Sequence, residues 1–168
     1  ASASIQCWGR NADAQLGDGT TTDSKTVVTV LGVTSATSVS TGGSHACVVV
    51  TSGLIECWGA NAAGQLGKGV ADAADTARAA IELAGLNSID AGDSHTCGVR
   101  ADGRVVCWGL NTSGQLGNTA FSNPGAPVVV SGITTAIAIS AGGNHTCALL
   151  ANGDVKCWGQ NTSGQLGD

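Results

Sequence analysis

The stretch Cys-Trp-Gly-Leu-Asn-Thr-Ser-Gly-Gln-Leu-Gly, residues 107–117, decides the fold because it recurs at a fixed spacing. Copies begin at Cys7, Cys57 and Cys157, so the period is 50 residues, and Ala14 stands in the first copy where the others have glycine. A period of this length predicts supersecondary units that bury their apolar faces against their neighbours. We therefore expect one repeat domain, 1–168, made of a partial repeat, 1–18, and three repeats of about 19–68, 69–118 and 119–168.

Composition limits the classes of partner. The chain has 7 Lys and Arg against 12 Asp and Glu, a formal net charge of -5, and no basic run. Nucleic-acid binding needs clustered positive charge, so DNA and RNA are not expected partners. No apolar run is long enough to cross a bilayer, so membrane insertion is not expected.

Each complete repeat contains about four short strands separated by glycine-containing turns, the pattern of a propeller blade. The triplets Thr51-Ser52-Gly53, Ala101-Asp102-Gly103 and Ala151-Asn152-Gly153 each end in glycine, which is typical of a hairpin turn with a glycine bulge. Residues 72–83 are ambiguous, because their alanines suit a helical turn while Ile81 suits a strand. Pro127 before Val128 predicts either that the following strand lies at an edge or that Val128 is its first residue.

All seven cysteines fall on the repeat, and six of them form three pairs ten residues apart: Cys47 with Cys57, Cys97 with Cys107, and Cys147 with Cys157. Folding each hairpin about its turn places the two cysteines opposite one another, with Cβ atoms about 4.5 to 5.5 Å apart. We expect disulfides, the alternative being buried free thiols. Disulfides imply an oxidising compartment, so we expect a secreted or cell-surface protein. Cys7 is left over, as a free thiol or an intermolecular bridge.

The remaining chemistry-bearing residues also occur once per repeat. His45, His95 and His145 are one blade apart and lack a matching carboxylate cluster, so we expect structural imidazoles bonded to turn backbone rather than a metal or catalytic site. The four tryptophans are expected in the blade core with locally satisfied indole N–H groups. The asparagines that open each glycine loop are expected to be turn formers. They are Asn11, Asn61, Asn111 and Asn161. We expect no catalytic residue, no cofactor and no enzymatic activity.

The sequence resembles repeats of the regulator of chromosome condensation family. The resemblance rests on Ser94 to Cys97, on Ala101 to Val105 and on Cys107 to Gly117, and it extends over nearly the whole chain. It implies a β-propeller of four-stranded blades, usually seven in a closed ring. About three and a third repeats do not close such a ring, so we expect an open arc. Family members include nucleotide-exchange factors, light sensors, ubiquitin-ligase modules and inhibitors of secreted enzymes, so the fold does not select a function.

Two functional hypotheses follow, with a third alternative. The first is an extracellular, non-enzymatic assembly module, because the partial repeat and the missing last strand leave open edges that other copies would complete as a ring or a fibre. The second is a protein-binding module, such as an inhibitor of a secreted enzyme, with residues 70–83 and 118–127 as recognition loops. The third is a fragment of a longer propeller protein. Nucleotide exchange is disfavoured by the predicted disulfides.

Overall fold

The computed structural model describes residues 4–72, 74–81, 83, 85–119 and 125–167. Within these ranges, thirteen β-strands form four antiparallel sheets. The strands are β1 (Gln6–Gly9), β2 (Ser24–Thr29), β3 (Ala36–Thr41), β4 (His45–Val50), β5 (Ile55–Ala60), β6 (Ala74–Ile81), β7 (Leu86–Ala91), β8 (His95–Arg100), β9 (Val105–Gly109), β10 (Val128–Val129), β11 (Ala136–Ala141), β12 (His145–Leu150) and β13 (Val155–Gly159). The described residues contain no helix long and apolar enough to span a membrane.

Every sheet is a meander of consecutive strands, and we call each one a blade. Blade 1 is β1-β2, blade 2 is β3-β4-β5-β6, blade 3 is β7-β8-β9-β10 and blade 4 is β11-β12-β13. None of the four described sheets closes on itself. The expectation of an all-β, open arc of repeat blades is therefore confirmed.

The blades are offset from the repeat frame expected from the sequence. β6 pairs with β5 across the repeat boundary at residue 68, with Ile55 opposite Ile81, and β2 likewise pairs with β1 of the partial repeat. Each of these sheets takes its last strand from the repeat that follows. This covalent overlap joins every described blade to the next.

The hairpin turns follow the glycine signal. Gly53, Gly103 and Gly153 have φ values of 79°, 78° and 91°, in the left-handed region that glycine adopts without a steric penalty. In the first of these turns the Gly53 N–H donates to the Val50 carbonyl at 2.7 Å. The turn fixes the register of β4 and β5, which sets Cys47 directly opposite Cys57.

The ambiguous segment and the segment after Pro127 both contain strands. Residues 74–81 form β6, so the helical alternative for this stretch is wrong; pairing with β5 outweighs the helix propensity of the alanines. The short strand β10, which follows Pro127, is the outermost strand of blade 3, as expected for a strand next to a proline.

The core lies between blades rather than within one layer. One cluster joins Cys47, Val49 and Ile55 of blade 2 to Leu86 and Trp108 of blade 3. Equivalent clusters join blade 1 to blade 2 and blade 3 to blade 4. Side chains alternate along each strand, so one face of a blade packs on the preceding blade and the other face on the following blade.

The Gly-Gln-Leu-Gly loops give a matched test of backbone strain. Gly64 and Gly164 have φ values of 78° and 72°, while the equivalent Ala14 has 61°. A Cβ at Gly164 meets open space, whereas one at Gly64 overlaps the backbone of Gly125. We expect Gly164→Ala to cost about 1 kcal/mol, the conformational penalty alone, and Gly64→Ala to cost more. Urea unfolding measures both free energies, and equal costs would contradict the close approach of the two loops.

Candidate functional site: the junctions between blades

A tryptophan links each blade to the one before it. The indole N–H of Trp58 donates to the backbone carbonyl of Gln15 at 2.9 Å. The same bond recurs from Trp108 to the Gln65 carbonyl at 2.8 Å and from Trp158 to the Gln115 carbonyl at 2.9 Å. The tryptophans were expected to satisfy their N–H groups locally. That prediction is wrong, because the acceptor lies 43 residues earlier, in the loop of the preceding blade.

A histidine and a threonine form a second link at the two later junctions. His45 Nε2 lies 2.8 Å from Thr96 Oγ1, and this hydroxyl also lies 3.2 Å from the Gln65 carbonyl. His95 and Thr146 repeat the contact one junction later, at 2.9 Å. Turn backbone was the expected partner of these imidazoles, and the structure instead gives them a hydroxyl of the following blade.

The first junction lacks this link because Ala46 occupies the position of Thr96 and Thr146. Ala46 is buried against blade 1 in an otherwise equivalent cluster. The junctions therefore share the tryptophan bond but differ in polar chemistry.

A carboxylate links three blades along their first strands. Asp90 Oδ1 accepts a hydrogen bond from Ser40 Oγ of blade 2 at 2.8 Å, and Asp90 Oδ2 accepts one from the Ala141 N–H of blade 4 at 2.8 Å. Ser40 Oγ in turn accepts from the Ala91 N–H at 3.0 Å. The sequence analysis missed this residue, although its signal was present, since the repeat has Ser at positions 40 and 140 and Asp at 90.

The loop asparagines have the role expected of them. The Oδ1 atom of Asn61 accepts the Leu66 N–H at 3.0 Å, and Asn11, Asn111 and Asn161 make the same bond five residues ahead. This bond closes the loop and fixes the carbonyl that accepts the tryptophan. Local asparagine chemistry thus prepares the contact between blades.

Six cysteines lie in pairs at disulfide distance. The Sγ atoms are 2.10 Å apart in Cys47 and Cys57, 2.13 Å in Cys97 and Cys107, and 2.06 Å in Cys147 and Cys157. Cys7 has no disulfide partner among the described residues and packs, half-buried, against the cluster between blades 1 and 2. Burial raises the pKa of the Cys7 thiol, so less thiolate is present at neutral pH.

The two end faces of the arc expose side chains that are buried at the inner junctions. Val155 of blade 4 is 61% exposed, whereas Ile55 and Val105 at the same repeat position are 0% exposed. Trp8 of blade 1 is 67% exposed, whereas Trp58 and Trp108 are 0% exposed. Exposed apolar surface of this kind is typical of an interaction site.

The structure does not bring the other candidate residues together. Among the described residues, no group of three or more His, Cys, Asp or Glu side chains has the arrangement of a metal site. The three histidines lie in separate blades, and His45 and His95 contact threonines of the following blade. The candidate recognition loops, 70–83 and 118–127, lie partly outside the described residues.

The tryptophan link is testable with a matched pair of variants. Trp108→Phe removes the N–H that bonds the Gln65 carbonyl in a fully buried position, so we expect it to lower the free energy of unfolding by about 1 to 3 kcal/mol. Trp8→Phe makes the same chemical change at an exposed position and should change stability by less than about 0.5 kcal/mol. Urea unfolding of both variants is the measurement. Equal losses would show that the bond between blades is not what stabilises the arc.

Comparison with known proteins gives one family. A model of the regulator of chromosome condensation (RCC1) repeat matches residues 5–49 and 102–149, and a second model of this repeat matches residues 36–65, 87–115 and 136–165. No curated protein sequence matches the chain.

Solved structures with a similar fold are longer. Prp20p of Saccharomyces cerevisiae, described with its binding to Gsp1p and histones, is 19% identical, with a TM-score of 0.85 over 98% of this chain and 43% of that one. Yeast RCC1 (Prp20) bound to Kap60 is 20% identical, with a TM-score of 0.79 over 94% and 40%. Human WBSCR16 is 24% identical, with a TM-score of 0.79 over 92% and 42%. The chain thus spans about two fifths of the length of the proteins it resembles.

Proposed function

Since the chain belongs to the regulator of chromosome condensation (RCC1) repeat family, we propose that it is a non-enzymatic protein-binding module whose end faces pack against further blades of the same repeat. The partner we propose is another copy of this chain, in an extracellular setting. The three cysteine pairs at disulfide distance support that setting, because disulfides persist in oxidising compartments.

The observation that carries the proposal is the exposed end face of blade 4. Its outer face displays Val155 at a position that the two preceding junctions bury completely. Its last loop carries Gln165, in the repeat position whose backbone carbonyl accepts a tryptophan at the inner junctions. Blade 1 displays the complementary residue, Trp8. The blade 1 face of one copy therefore offers the blade 4 face of another an apolar surface and an indole donor.

This contact is heterologous, because the two surfaces differ. Repeating it generates a ring when the rotation between copies closes and a fibre when it does not. Protein binding as such fits the relatives, since Prp20p is described with binding to Gsp1p and histones and is seen bound to Kap60. The proposal assigns no catalytic group.

A second candidate is an arc that forms one section of a longer propeller. The observation in its favour is that the chain spans about two fifths of its structural relatives. In that arrangement, blades of the same polypeptide fill both end faces. The two candidates differ in what the 168-residue chain does alone in solution.

We expect the purified chain to self-associate with increasing concentration, which multi-angle light scattering and negative-stain electron microscopy detect as rings or fibres. Val155→Glu places a charge on the end face and should weaken association at least tenfold. Val70→Glu is the matched control, because Val70 is exposed in the loop between β5 and β6 and its backbone lies beside Gly125, between blades 2 and 3 rather than at an end of the arc. A wild-type chain that stays monomeric at all concentrations would exclude self-assembly and leave the longer propeller. Equal effects of the two variants would exclude the end face as the contact.

The cysteine assignments have a separate test. Peptide mapping of the non-reduced protein should recover three pairs, 47–57, 97–107 and 147–157, with Cys7 open to alkylation after unfolding. Each reduced pair should cost about 2 to 3 kcal/mol of stability. The half-burial of Cys7 favours the free thiol over an intermolecular bridge, so Cys7→Ser should leave assembly unchanged. Loss of assembly in Cys7→Ser, with a covalent dimer on non-reducing gels, would establish the bridge instead.

A further inference from the structure

We propose that the junctions between blades 2 and 3 and between blades 3 and 4 are pH-sensitive locks, in which a proton on the buried imidazole weakens the contact between the two blades. His45 holds the first of these junctions and His95 the second. The inference concerns the described chain by itself and does not depend on the proposed assembly.

Hydrogen bonding fixes which ring nitrogen carries the proton. A threonine hydroxyl has one hydrogen to donate, and the Thr96 hydroxyl directs it to the Gln65 carbonyl, which can only accept. Thr96 Oγ1 therefore accepts a hydrogen bond from His45 Nε2, so the neutral ring carries its proton on Nε2. The Thr146 hydroxyl bonds the Gln115 carbonyl at 3.0 Å and fixes the His95 tautomer in the same way.

The other nitrogen has no place for a second proton. Among the described residues, neither His45 Nδ1 nor His95 Nδ1 has a hydrogen-bond partner, and both atoms are buried. The rings pack closely on Gly42 and Gly92, where an added Cβ would lie 2.6 Å from Nδ1 in each case. A doubly protonated ring would therefore be a buried cation with an unsatisfied donor.

The surrounding charges do not offset this burial. Burial lowers the pKa of His45 to about 4, with a smaller contribution from His95. Burial also lowers the pKa of His95 to about 4, and His145 lowers it further, while Asp93 and Asp90 act in the opposite direction. Arg10 lines the same cavity as His45, and because its guanidinium is positively charged it does not favour a proton on the imidazole.

The sign of the effect follows from proton binding. An unfolded histidine has a pKa near 6.5, so between pH 6.5 and pH 4 the unfolded chain binds protons that the folded chain does not. The stability from each lock is complete above pH 6.5, falls as the pH drops towards 4, and changes little below 4. Between pH 7.5 and 4.5 the unfolding constant should rise about 70-fold for each histidine.

The junction between blades 1 and 2 has no such lock. Ala46 stands where the later junctions have the threonine. Acid should therefore loosen the two later junctions while leaving the contact between blades 1 and 2 unaffected by this mechanism. A graded opening of the arc is the expected consequence.

The test is the pH dependence of urea unfolding, measured from pH 7.5 to 4.5 for the wild type, His45→Gln, His95→Gln and the double variant. Glutamine keeps an N–H donor for the threonine but does not titrate. Over this pH range the unfolding constant of each single variant should rise about 70-fold less than that of the wild type, and that of the double variant less by about the square of this factor. A double variant with the wild-type pH dependence would overturn the proposal.

Thr146→Val is the matched control, because it removes the same hydrogen bond without removing the titrating ring. It should lower stability by a similar factor at every pH. A second measurement uses the wild type alone and so does not depend on whether the variants fold. Proton NMR of the folded protein should show the ring C–H resonances of His45 and His95 unchanged from pH 7.5 down to about 5. Titration of either ring near pH 6.5 would overturn its lock.

Discussion

The arc depends on one acceptor, the backbone carbonyl of the glutamine in each Gly-Gln-Leu-Gly-type loop. At the two later junctions it receives an indole N–H and a threonine hydroxyl, both from the following blade. A carbonyl oxygen has two lone pairs, and a buried one is costly to leave unbonded. The loop must therefore present this oxygen in one position, which the asparagine bond five residues ahead secures. The loop and the tryptophan bond are present at all three junctions, whereas the threonine is replaced by Ala46 at the first.

The sequence predicted features that arise within one repeat. The glycine triplets fixed the hairpins, and the hairpins set Cys47 opposite Cys57 in the register expected. Pro127 identified the edge strand, because proline cannot supply a ladder hydrogen bond. These features depend on residues close together in the chain, where local geometry leaves few alternatives.

The contacts between repeats could not be predicted in the same way. The acceptor of Trp58 is a main-chain oxygen, which every residue has, so no side-chain pattern marks Gln15 as the partner. The histidine partner could not be predicted, because only the packing of two blades brings His45 of β4 to Thr96 of β8. The offset of β6 from its own repeat was hidden by an alanine-rich sequence. Asp90 is the contact residue that the sequence could have indicated, because it is an aspartate at a repeat position where the other two repeats have serine.

The overlap between repeats and blades has a consequence for how such a chain changes length in evolution. Because β6 closes the sheet begun by the preceding repeat, no blade boundary coincides with a repeat boundary in the frame expected from the sequence. A recombination event that removes or inserts 50 residues between equivalent positions restores the same strand order wherever it falls in the repeat. Unequal crossing-over can thus alter the number of blades without falling in a linker between them. The arc can lengthen or shorten by whole units while its internal contacts are kept.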